Sequence, residues 1–337
     1  MTWVCIVQTG ANAMKAATRL VILGLLFAGV VAVRYRSHRP TTLKIRTAAD
    51  LGDLRAINEL LDANPASVNE RDSIGFTPLT WAAISNEGPA AELLIARGAD
   101  VNSVADDGDT PLHLAAIAGH DAVAKILVAH GANVKAHNKS GGKTPMCEAA
   151  FFGRASTVEI LATADPSSVD EPEVEINGSS RSLRTPLHFA VVNNTSLPDG
   201  NLEVISILLR HNAKIDARDS TGCTPLQAAA GAGNIAAVKA LLGAGAPVNS
   251  LDQLGGTALH AAAGAFGLAS FTGVSDVRDS TQLEIVEQLL AHGADPTIKA
   301  ASGLTPADCA ARFRLSQTAK ALREAADRAI AGRRPKA

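Results

Sequence analysis

Nine histidines and four cysteines are the residues in this 337-residue chain best suited to bind a metal or act as nucleophiles. A helical zinc pair needs ligands four residues apart on one face, and a zinc knuckle needs closely spaced cysteines. Neither spacing occurs: no two histidines are four residues apart, and Cys5, Cys147, Cys223 and Cys309 are separated by gaps far too long for a knuckle or a small disulfide scaffold. Cys147, Cys223 and Cys309 are therefore expected to pack as small apolar groups. No glycine-rich phosphate loop or nucleophile elbow is present, so the sequence predicts neither a cofactor nor catalysis. Charge argues against nucleic acid as a partner. Residues 1–40 carry five cations and no acid and the last ten carry four cations and no acid, leaving 22 basic and 33 acidic residues between them, a net −11. An acidic body repels a phosphate backbone, and 3% aromatic content offers little for base stacking.

The histidines instead follow a register. Thr-Pro-Leu-His and its variants recur at Thr77-Pro78-Leu79-Thr80, Thr110-Pro111-Leu112-His113, Thr144-Pro145-Met146-Cys147, Thr185-Pro186-Leu187-His188, Thr224-Pro225-Leu226-Gln227, Thr257-Ala258-Leu259-His260 and Thr305-Pro306-Ala307-Asp308. Successive threonines lie 33, 34, 41, 39, 33 and 48 residues apart. Thr caps a helix, and Pro at the first helical position gives up an amide that would have no intrahelical partner. Small pairs such as Ala82-Ala83 and Ala115-Ala116 allow close helix approach. Gly98, Gly131, Gly245 and Gly293 follow a second, apolar helix at a position that favours left-handed backbone. Extended segments and turns such as Asp107-Gly108 and Thr221-Gly222 connect the copies as projecting hairpins.

These copies resemble the ankyrin repeat over about residues 41–330. The expected fold is an all-α repeat solenoid of about eight helix-turn-helix plus hairpin units. The first unit, near Leu43, lacks Thr-Pro and serves as a cap, and the last, from Thr305, carries charged helices suited to the other cap. The resemblance implies that His113, His188 and His260 make local hydrogen bonds and that the protein is a non-catalytic recognition module, most simply a monomer, for a protein partner. It also implies that the position seven residues after each threonine faces that partner: Ile84, Ile117, Phe151, Val192, Gly231, Gly264 and Arg312. Ile84, Ile117, Phe151 and Val192, with Phe152 beside Phe151, could form an apolar binding stripe; the competing reading packs them between adjacent inner helices. Three insertions depart from the repeat: an acidic one at 165–182 containing Asp165, Asp170, Glu171, Glu173 and Glu175, and two more at 193–201 and 264–281. The acidic one could recruit a basic partner or be a solvated loop alone.

Before the repeats, Leu20 to Val33 is uncharged and apolar, with Lys15 and Arg19 before it and Arg34 and Arg36 after. As a helix it would span about 21 Å, short of a bilayer core of about 30 Å unless the flanking arginines snorkel. The chain is therefore expected to divide into a leader at 1–40, a solenoid at 41–330 and a basic tail at 331–337. The leader reads as a hydrophobic helix and single-pass membrane anchor, the slight excess of cations on its carboxyl side leaning towards a cytoplasmic solenoid. Alternatively it is a signal cut after Val30-Val31-Ala32, which would make the mature protein periplasmic or secreted and a protector or regulator of an enzyme.

Overall fold

A computed structural model describes residues 44–139, 141–174, 183–192, 200–264 and 279–332. The apolar leader at 20–33, residues 333–337 of the basic tail, Glu175 and the middle parts of all three insertions lie outside these residues. Eight helix pairs follow one another in the described chain, and no strand occurs among the described residues. The first helices of the pairs are α1 (Ile45–Asp50), α3 (Pro78–Ile84), α5 (Pro111–Ala118), α7 (Pro145–Phe151), α9 (Pro186–Val192), α11 (Pro225–Gly231), α13 (Ala258–Ala262) and α15 (Pro306–Arg312). Their partners are α2 (Leu54–Ala63), α4 (Gly88–Ala96), α6 (Asp121–Ala129), α8 (Ala155–Ala164), α10 (Gly200–Arg210), α12 (Ile235–Gly243), α14 (Asp279–Ala291) and α16 (Ser316–Gly332). Short 3-10 turns, Pro65–Asn69 and Pro166–Asp170, follow α2 and α8.

Two compact units arise from this chain. One comprises the described parts of Met1–Ala149, Ser156–Ser168 and Glu173–Ser179; the other comprises Ala150–Ala155, Val169–Pro172 and the described part of Ser180–Ala337. In the first, inner helices α1, α3 and α5 pack in succession, as do outer helices α2, α4 and α6. In the second, α9, α11, α13 and α15 form the inner row and α10, α12, α14 and α16 the outer one. The alanine pairs explain the close stacking: Ala82, Ala83, Ala115, Ala116, Ala229, Ala230, Ala261 and Ala262 are wholly buried. Leu79, Leu112, Leu226 and Leu259, one per motif, fill the space between inner and outer rows and are at most 1% exposed.

The connecting segments are turns rather than strand hairpins. Asp72, Asp219 and Asp252, five residues before their threonines, each accept backbone N–H bonds at Oδ1 from two residues further along the same turn: Ile74 and Phe76, Thr221 and Cys223, and Leu254 and Gly256. Among the described residues, five pairs of successive turns are joined by one backbone bond each: Asp106 N–H to Ile74 C=O, Lys139 to Asp107 and Val174 to Gly142 in the first unit, and Gln253 to Thr221 and Ala301 to Leu254 in the second. One bond per step, with no second to continue it, is too few to make a sheet, so the projecting segments stack without strand pairing. At Gly142 the approach is so close that a Cβ would overlap the Val174 carbonyl.

Candidate functional site

In four of the motif copies the third helical residue links its repeat to the next. Thr110 N–H donates to Nδ1 of His113 at 3.2 Å, and Nδ1 lies 2.9 Å from Thr110 Oγ1. Accepting at Nδ1 leaves the proton on Nε2, which donates to the Lys143 carbonyl at 3.0 Å. His188 bonds in the same way to Thr185 and the Cys223 carbonyl, and His260 to Thr257 and the Leu304 carbonyl. Gln227 copies the arrangement with its amide, accepting from Thr224 N–H at 2.8 Å and donating to the Gly256 carbonyl at 2.8 Å. In the repeat that starts at Thr305, Asp308 accepts from Thr305 N–H at 2.9 Å and from its hydroxyl at 2.7 Å, the carboxylate keeping only the accepting half of the arrangement. Burial holds His113 well below its usual range, at about 4, and His188 and His260 are lowered for the same reason. These side chains are structural links, with both ring nitrogens committed.

The thiols are equally committed to packing. Cys147, Cys223 and Cys309 are buried and free of disulfides, and burial pushes the Cys147 thiol up to about 12 and raises the other two. Nucleophilic attack needs a thiolate, which these surroundings suppress. A hollow lined by Lys44–Arg46 and Glu70–Asp72 has room for little more than one water molecule, too little for a substrate.

A recognition face remains, and the structure sorts the expected residues. Ile84 and Ile117, on α3 and α5 of the first unit, are half-buried and present part of their apolar surface. Leu114 and Trp81 are half-buried on the same two helices. Trp81 packs edge-on against Phe76, ring centroids 5.7 Å apart, and its indole N–H donates to Asp72 Oδ2 at 3.0 Å. That one end is apolar and the other hydrogen-bonded suits a tryptophan at a binding surface. Trp81 is absent from the expected stripe because that stripe was drawn from one motif position, whereas tryptophan sits four residues after its threonine.

In the second unit the stripe does not continue as expected. Val192 is 9% exposed and belongs to the core. Phe151 packs edge-on against both Phe152 (5.1 Å) and Phe189 (6.2 Å), so the competing, internal reading holds for much of its ring; Phe151 and Phe152 are each half-buried. The acidic insertion likewise divides. Asp165 caps the 3-10 turn by accepting Ser167 N–H and Oγ–H at 2.9 and 2.6 Å, which holds its carboxyl below the usual range, and it lies 3.7 Å from Lys135 Nζ. Asp170 accepts Lys214 N–H at 2.9 Å, and Glu173 is 8% exposed, so these carboxylates do not form a solvated acidic tract as expected. Glu171 is half-buried and Glu175 lies outside the described residues.

The family model for ankyrin repeats in three copies matches residues 45–138, 83–171, 132–219 and 195–271, and the single ankyrin repeat model matches 254–301. Among solved structures, the human ASB11 ankyrin repeat domain is 30% identical with a TM-score of 0.56, the match covering 73% of this chain and 98% of that one. Comparison with curated proteins finds no match.

Proposed function

This chain belongs to the ankyrin repeat family, whose repeats are protein-interaction modules, and from that membership we propose that it is a non-catalytic recognition scaffold held at a membrane by its apolar leader. The observation that carries the recognition half is the half-buried apolar row Trp81, Ile84, Leu114 and Ile117, each of which keeps part of its surface accessible. Apolar anchors of this kind supply most of the free energy of an interface when a partner desolvates them. The membrane half rests on the sequence Leu20 to Val33 with cations on both sides. Among the described residues no helix is long and apolar enough to cross a membrane.

Two experiments test the halves separately. Captured partners are compared between the wild type and Ile84→Asp/Ile117→Asp; the reading requires partners that the variant loses while its helical circular dichroism is unchanged. For the leader, full-length protein and a chain starting at residue 41 are fractionated with alkaline carbonate, and the amino terminus of the mature protein is sequenced. Anchoring requires that only the full-length chain stays with the membrane, uncut; a start near Val33 supports the exported, enzyme-regulating alternative. A reporter fused after Ala337 reads the side on which the solenoid lies.

A further inference from the structure

In the first unit a single amide holds two buried carboxylates. Asn138 is 1% exposed, and its Nδ2 donates to Asp109 Oδ1 at 2.9 Å and to Glu148 Oε1 at 3.4 Å. The amide cannot turn over without loss, because its Oδ1 accepts Lys143 N–H at 3.1 Å. Asp109 and Glu148 are each 5% exposed. They come from different segments, Asp109 immediately before the motif that starts α5 and Glu148 from within α7, with Asn138 on the turn between α6 and α7. The clamp therefore ties three pieces of two successive repeats.

Its charges do not balance. Lys143 Nζ lies 3.3 Å from Glu148 Oε1 and neutralises it, while Asp109 forms no ion pair among the described residues and receives its hydrogen bond from a neutral amide. The groups that face it divide: Asp107 on its own turn and Glu148 on α7 repel a second negative charge, while the Asn138 N–H bond and, more weakly, Lys143 favour the ionised form without offsetting burial. His113 on α5, with His137 acting on it from the turn before α7, is held neutral by burial. Isolated burial of an ionised carboxylate is costly, and uptake of a proton removes that cost.

We propose that Asp109, Asn138 and Glu148 form a proton-operated latch, closed when Asp109 is protonated and loosened when both carboxylates are ionised. Burial, ahead of the neighbouring Asp107 charge, raises the Asp109 carboxyl to about 7, against 3.8 ordinarily. The folded state thus binds more protons than the unfolded one between these values, and the contribution of Asp109 to stability is present in weak acid and lost as pH rises through about 7. The turn that the latch holds lies beside the apolar row on α3 and α5 in the sequence of repeats, so loosening it gives the recognition unit a pH-dependent edge.

The test uses the full chain. Carboxyl carbon NMR should place the Asp109 midpoint near neutrality, and a midpoint near the ordinary carboxylate value of about 4 overturns the proposal. Amide exchange across residues 105–150, corrected for intrinsic rate, is compared between the wild type and Asp109→Asn at pH 6 and pH 8. Buried histidines titrate alike in both and cancel. Opening of the wild type relative to the variant should rise about tenfold over that interval, and a constant ratio sinks the latch. Glu148→Gln removes one repelling charge and should lower the Asp109 midpoint; an unmoved midpoint rules out the coupling. Should Asp109→Asn fail to fold, the wild-type titration alone decides.

Discussion

His113, His188 and His260 each join a threonine amide, which has no other backbone partner, to a carbonyl of the following repeat that already accepts one backbone N–H within its own turn. Removing such a side chain strands the amide, at about 1–3 kcal/mol, and takes from the carbonyl the second of its two bonds, at about 0.5–1.5 kcal/mol. His113→Ala should accordingly destabilise by about 2–4 kcal/mol in urea unfolding, whereas His113→Gln, which imitates Gln227, should cost about 1 kcal/mol. The same burial gives acid sensitivity of known sign. With the folded value of His113 at about 4 and the unfolded one at 6.5, the unfolded chain binds more protons between them. Stability from the neutral histidines is complete above 6.5 and is lost as pH falls towards 4, below which the His113 loss levels off. A His113→Gln variant should lose less stability than the wild type between pH 7 and pH 4.5, and equal losses would refute this origin. The repeated histidine was legible in the sequence. Asp109 was not, because it reads as one more turn aspartate until Asn138 and Glu148 are brought to it.

At the scale of elements, the repeats are joined outside the helices by an asparagine ladder. Asn69, Asn102 and Asn249 each donate Nδ2–H to the carbonyl of the glycine that ends the next outer helix, Gly98, Gly131 and Gly293, and accept the N–H two residues beyond it. Asp170 keeps the accepting half of this role towards Lys214, which explains why it does not serve as a free loop carboxylate. Asn102→Ala should cost about 1–2 kcal/mol, since these bonds are exposed to competing water. Gly142→Ala should cost more, because its backbone is left-handed (φ 64°) and the new Cβ would meet the Val174 carbonyl; loss of amide protection at Val174 is the measurement. Helix starts and stops were readable from Thr-Pro and glycine, since capping is local chemistry. The absence of strands among the described turns was not readable, because it depends on how many bonds adjacent turns can share.

At the scale of the molecule, apolar residues that share one motif position differ in what they pack against. Phe151→Ser removes a ring that contacts Phe152 and Phe189 and should destabilise by about 2–4 kcal/mol, while Ile117→Ser, on a half-buried position, should cost about 1 kcal/mol and abolish partner capture. Equal destabilisation by the two would assign Ile117 to the core as well. The sequence by itself determined the repeat, its phase, its helix boundaries and the commitment of its histidines to local bonding. Those properties repeat with a period of about 33 residues and depend on contacts within a unit or with the next one. Only the tertiary structure decided which members of one motif position remain partly exposed, Ile84 and Ile117, and which are buried, Val192. It alone separated the acidic insertion into a turn cap, a link to Lys214 and a buried glutamate. The physical reason is the same in both cases: burial and charge environment are set by side chains from other segments, and a pattern along the chain does not specify which of them arrive.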